Sequence, residues 1–189
     1  RLWPEAETFN LLDDSLSADL ARQGELTPAM TERFLRLARY AADTGADGIL
    51  FTCSAFGPCI EACARALAPL PVLKPNEAMV EEAVATGGRV GLLATFAGTL
   101  ASMPAEFPAG QTLATGLAEG ALAALDRGDT EGHDRLVAEG AQGLKDCAVI
   151  ALAQFSMARA ADRVAAATGR PVLTTPGSAV RKLRRLLRG

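Results

Sequence analysis

The stretch DGILFTCSAFGPCIEACARAL, residues 47–67, places a cysteine where a hydrophobic strand ends and a helix is about to begin. A thiol in that turn lies near unpaired backbone N–H groups and the positive end of the helix dipole, and both favour the thiolate. Cys53 is thus a candidate for proton abstraction or nucleophilic attack. A cysteine also fills a gap as a small apolar residue, and that reading stays open. Next to Cys53, the Thr52 hydroxyl and the backbone N–H groups of Ser54 and Ala55 could bind a carboxylate or stabilise an enolate-like charge. Thr95 and Phe96, after RVGLLA, hold a similar place at a strand end. Hydroxyls at such turns also cap the next helix, so Ser54, Thr95 and, in LAQFSMA, Ser156 carry both readings. Asp13 and Asp14, in LLDDSLS, follow a predicted strand on the same edge. A turn or N-cap is expected there, and substrate contact by Asp14 is the alternative.

The other candidate groups point to packing. Cys59 and Cys63 are one helical turn apart and share a face, which reads as core. A zinc site would show paired cysteine knuckles or added histidines. Cys147 begins a strand at the end away from the Cys53 turn and also reads as core. The only histidine, His133, sits in the polar GDTEGHDRL and reads as a solvated helix residue. ATGG and GDTEG lack the spacing and strand context of a phosphate loop, so no nucleotide cofactor and no metal is expected. A net charge of −3 over 189 residues argues against nucleic acid as a partner, since a phosphate backbone calls for a basic face. No apolar run reaches the length of a membrane span, and no secretory pattern opens the sequence. Four cysteines in such a chain read as free thiols of a reducing compartment, and the cytoplasm is the expected location.

The elements that must position these residues follow a regular rhythm. Hydrophobic runs (TFNLL, GILFT, PVL, RVGLLAT, QTLAT, CAVIALA and a second PVL) alternate with helical patterns. That predicts an α/β fold with parallel sheets covered on both faces. GILFTCSAFGPCIEACARALAPLPVLKPNEAMV and VIALAQFSMARAADRVAAATGRPVLTTPGSAV share one layout: strand, sharp turn, helix, PVL, turn, helix. The offset is about 100 residues, which reads as an internal repeat. Two pseudo-symmetric lobes with a ligand cleft at their strand ends are therefore expected. Gln154 then becomes the equivalent of Cys53, with Phe155 and Ser156 in the matching turn. The second half opens with RVGLLATFAGTLASMPAEF, which has no counterpart in the first. A missing first strand and most of a helix, on the order of 20 residues, is the expectation.

FTCSAFG, RVGLLAT and LAQFSMARAA, in this order, resemble the aspartate/glutamate racemase superfamily, which includes hydantoin racemases, maleate isomerase and arylmalonate decarboxylase. The resemblance covers essentially the whole chain, and LAQFSMA is similar to an LGCAGMA pattern. It implies two α/β halves, each with a cysteine after a strand, the two facing each other across a small carboxylic acid. It also implies cofactor-independent isomerase chemistry beside the carboxylate, and it makes a homodimer an open expectation. Met157–Ala158 keeps the family register, so Gln154 stands where the second cysteine would be, as a polar clamp that cannot act as acid or base. One thiol still fits decarboxylation, cis–trans isomerisation or lysis, and a binding protein without turnover is the alternative from another class. Arylmalonate decarboxylase is a one-cysteine member, with its cysteine on the wall opposite to Cys53. The expected lobes are residues 1–86, onto which 171–189 can pack back, and residues 87–170. The tail RKLRRLLRG is expected to dock through Leu183, Leu186 and Leu187.

Overall fold

The computed structural model describes residues 2–188. Their contacts divide into two units, one running up to Pro75 and resuming at Val180, the other from Asn76 to Ala179. The expected bounds were 1–86 and 87–170, and the fourth helix and last strand group with the second unit. No helix among the described residues is long and apolar enough to cross a membrane.

The first unit begins with helices α1 (Ser15–Gln23) and α2 (Pro28–Asp43). Thr27 caps α2 by accepting from the Met30 N–H, and Pro28 fits the first turn, where no N–H partner is needed. Strand β1 (Ile49–Leu50), helix α3 (Gly57–Leu67) and strand β2 (Val72–Leu73) follow. The strands pair in parallel, Ile49 with Val72 and Leu50 with Leu73. Cys59, Ile60 and Cys63 form the buried stripe of α3 and pack with Phe34 and Phe56. The Phe34 ring lies 5.4 Å from that of Phe51 and 4.9 Å from that of Phe56.

The TFNLL segment is not a strand. No strand among the described residues pairs with it, and Phe9 is 90% exposed and Leu12 84%. Without a ladder partner its apolar residues have no sheet face to join. The tail is also corrected in part. It is helical, but only Leu183 packs inward, against Gly48, while Leu186 and Leu187 stay exposed.

The second unit contains α4 (Glu77–Thr86), β3 (Val90–Ala94), α5 (Ala97–Ser102), β4 (Leu113–Leu117), α6 (Ala121–Asp126), α7 (Thr130–Gly140), β5 (Val149–Leu152), α8 (Ala161–Thr168) and β6 (Val172–Thr174). Helix α9 (Thr175–Arg188) continues from β6 across the boundary between the units. The four strands are parallel, in the order β4–β3–β5–β6. Alternation sends Val90, Leu92, Val149 and Ala151 to one face with Met79 and Ala83 of α4. Leu93, Ile150 and Leu152 go to the other, with Val137 of α7 and Val164 of α8. Two buried faces explain why β3 and β5 read as unbroken hydrophobic runs.

Helix α7 closes onto the sheet at Gly140, where an added Cβ would stand 2.9 Å from the Ala118 Cα. Gly140→Ala is expected to destabilise the fold by about 1–3 kcal/mol through overpacking. Urea denaturation measures this, and an unchanged midpoint would contradict it.

Candidate functional site

Cys53 follows β1 and precedes a 3₁₀ turn, Ser54–Phe56, that leads into α3. Its backbone is extended, with φ −123° and ψ 119°. Gln154 occupies the matching local position: extended, φ −135° and ψ 146°, after β5, before a 3₁₀ turn Phe155–Ala160 that leads into α8. In both units the next strand pairs in parallel with the one before the turn. The two segments with one layout in the sequence thus share a local backbone plan.

Cys53 is exposed, whereas Cys59, Cys63 and Cys147 are buried and free. Burial pushes the Cys63 thiol up to about 11, with the neighbouring Cys59 adding to the effect, and burial also raises that of Cys147. These thiols belong to the core and are poor nucleophiles. Thr52, Ser54 and Ala55 are exposed beside Cys53. Phe56, three residues on, is buried and anchors the turn. Among the described residues, neither Ser54 nor Ser156 uses its hydroxyl as a helix cap.

In the second unit two of the candidates, Thr95 and Gln154, meet. From β3 the chain goes first to β4 on one side and then to β5 and β6 on the other. The carboxyl ends of β3 and β5 therefore flank the topological switch point, where such sheets place their ligands. The Ala153 N–H donates to the Leu93 carbonyl at 2.9 Å, carrying the pairing one residue past β5. Thr95 then meets the Gln154 side chain. Its N–H donates to Oε1 at 2.7 Å and its hydroxyl lies 3.0 Å from the same atom. Thr95 is buried and caps no helix through its side chain. Phe96 is 56% exposed at the start of α5, with its ring against Gly98. Phe155 is half-buried and Ser156 exposed in the turn after Gln154.

The first unit places its acidic pair differently from each other. Asp13 accepts from the Ser15 N–H and hydroxyl and pairs with Arg33 at 2.5 Å; Arg33 also pairs with Asp19. The hydrogen bonds from Ser15, then Arg33, hold the Asp13 carboxyl below the usual carboxylate range. Asp14 is exposed and makes no capping bond, so Asp13 supplies the local turn chemistry.

His133 overturns the solvated reading. It is fully buried, on the stripe of α7 that also carries Val137. That spacing of one turn was the signal in the sequence, outweighed by the polar neighbours. Its Nδ1 lies 2.8 Å from Asp134 Oδ1, and Arg159 Nε donates to Asp134 Oδ2 at 2.8 Å. Burial pushes the Asp134 carboxyl up, but the hydrogen bonds from His133 and Arg159 outweigh it and hold it below its ordinary value. An ionised carboxylate can only accept, so His133 donates from Nδ1. Among the described residues its Nε2 is buried without a partner. Arg159 lies in the 3₁₀ turn that follows Gln154, so this trio ties α7 to the segment carrying Phe155 and Ser156.

The model of the Asp/Glu/hydantoin racemase family matches residues 1–183. Among solved structures, allantoin racemase from Klebsiella pneumoniae is 25% identical with a TM-score of 0.67, covering 84% of this chain and 66% of its own. The chain thus spans just under two thirds of that racemase. Unliganded arylmalonate decarboxylase is 19% identical, with a TM-score of 0.64 over 86% of this chain and 77% of its own. An aspartate racemase homologue from Pyrococcus horikoshii OT3 is 17% identical, with a TM-score of 0.62 over 85% and 75%. No curated protein matches the sequence. With a family match over nearly its whole length and the same α/β fold as these structures, the chain belongs to the Asp/Glu/hydantoin racemase family.

Proposed function

We propose that this chain is a cofactor-independent enzyme that transfers protons at the carbon α to the carboxylate of a small acid, with Cys53 as its thiol. The observation that carries the reading is the place of Cys53: an exposed thiol at the carboxyl end of β1, on a turn leading into α3, in a chain whose other described cysteines are core. In the proposed step the Cys53 thiolate takes the α-proton and becomes a thiol, leaving an enediolate. The thiol returns a proton to the same face, which gives exchange with solvent, or to the opposite face once the enediolate has turned, which gives the other enantiomer; in either case the thiolate is restored. The N–H groups of Ser54 and Ala55 and the Thr52 hydroxyl would hold the carboxylate as charge builds. Within the second unit, Phe96, Gln154, Phe155 and Ser156 would supply ligand contacts at the carboxyl ends of β3 and β5, with Thr95 holding Gln154 in place. A racemase- or isomerase-like reaction in the cytoplasm is the leading form.

Gln154 favours a second reading. A primary amide does not titrate, so a site with one thiol suits decarboxylation, in which carbon dioxide leaves a geminal diacid and the Cys53 thiol protonates the enediolate that remains. The test is proton NMR in D₂O with amino acids, hydantoins, malonates and maleate, wild type beside Cys53→Ala. The proposal expects α-deuteration, isomerisation or loss of carbon dioxide from one substrate class, absent in the variant. Saturable binding without any turnover would replace it with a ligand-binding role.

A further inference from the structure

We infer that Gln154 is a specificity-determining residue whose amide is locked as a hydrogen-bond donor, so that it selects an acceptor group on the ligand. The inference rests on the proposed site and concerns what that site admits. The Thr95 N–H can only donate, so the Gln154 atom 2.7 Å from it must be the amide oxygen. The Thr95 hydroxyl, 3.0 Å from the same oxygen, supplies a second donor. Both lone pairs of the carbonyl are then used within the protein. A flipped amide would point N–H groups at the Thr95 N–H and leave that buried donor unpaired. The orientation is thus set before any ligand arrives.

What remains is the Nε2 group with its two N–H donors. Among the described residues nothing accepts from it, and the Gln154 side chain is half-buried at the switch point between β3 and β5. A group placed there must bring oxygen acceptors, as a carboxylate or a carbonyl does. An ammonium or another donor meets only N–H. Thr95 is the positioning residue and Gln154 the one that touches the ligand.

The experiment is a titration of the ¹⁵N-labelled chain, read at the Gln154 side-chain NH₂ resonances, which Gln154→Glu identifies by their loss. Malonate is the acceptor probe and ethylammonium the donor probe. Malonate is expected to shift both NH₂ protons saturably, and ethylammonium neither. Gln154→Glu keeps an oxygen for Thr95 but removes both donors, and is expected to weaken malonate about 10–100-fold. Thr95→Val is expected to broaden or move the NH₂ pair in the free protein, and Thr95→Ser to restore it. Gln154 resonances silent to malonate, an equal response to ethylammonium, or unweakened malonate binding by Gln154→Glu would each overturn the inference. The Cys53 proposal is read separately, from α-deuteration in Cys53→Ala. A silent Gln154 beside a dead Cys53→Ala therefore sinks only the present inference.

Discussion

Cys53→Ser is expected to fold as the wild type does and to lose about 10²–10⁴-fold in the rate of α-proton exchange, the range assigned to a positioned acid–base group. The fold should survive because Cys53 is exposed and no described hydrogen bond or core contact depends on its sulfur. The activity should not, because a serine hydroxyl is far less acidic than a thiol and would not supply the base. Cys59→Ser is the instructive contrast. Its sulfur is fully buried against Phe34 and Ile60, 3.4 Å from the Thr31 hydroxyl. It should lower stability while leaving the rate per folded molecule unchanged. Circular dichroism with D₂O exchange NMR separates the two, and equal loss of rate per folded molecule in both would argue against Cys53.

Asp134→Ala is expected to cost about 1–3 kcal/mol of stability, since it strips the buried His133 of its Nδ1 acceptor and releases Arg159. The His133 ring would then have both nitrogens buried without partners among the described residues. Loss of Asp134 should also loosen the turn from Phe155 to Ala160, which hydrogen exchange of its amides would report. The pH dependence has a definite sign. The folded carboxyl titrates below its ordinary value, so its stabilisation is complete above the unfolded pKa of about 4 and is lost as pH falls through the lower folded value. Urea midpoints of wild type and Asp134→Asn should converge only in that acid range. Convergence at neutral pH, or a midpoint unchanged by Asp134→Ala, would contradict this account of the trio.

Much of the fold could be read from the sequence because β3 and β5 are buried on both faces, which leaves continuous runs such as RVGLLA and VIAL. The Cys53 turn was legible because a short hydrophobic run, a cysteine and Pro58 follow one another within one local segment. Where pairing or packing at a distance decides, the sequence misleads. TFNLL has strand composition, yet an edge without a ladder partner stays in solvent. The polar neighbours of His133 hid the stripe it shares with Val137, and its acceptor Asp134 accounts for how α7 tolerates an imidazole in the core. Leu186 and Leu187 suggested docking, but only Leu183 has a surface to meet at Gly48. The bond from Thr95 to Gln154 joins residues 59 positions apart and depends on the register of β3 with β5. Composition carries no trace of it. Thr95 reads in the sequence as a cap or a substrate contact, and only the folded register shows its hydroxyl and N–H on Gln154.

The most direct measurement is graded alkylation with iodoacetamide, in which peptide mass spectrometry follows modification at each cysteine while NMR follows α-deuteration. The account predicts that Cys53 is alkylated well before Cys59, Cys63 and Cys147, and that exchange falls in proportion to its modification alone. Full alkylation of Cys53 with exchange intact would show that another group moves the proton, and the central claim would fall.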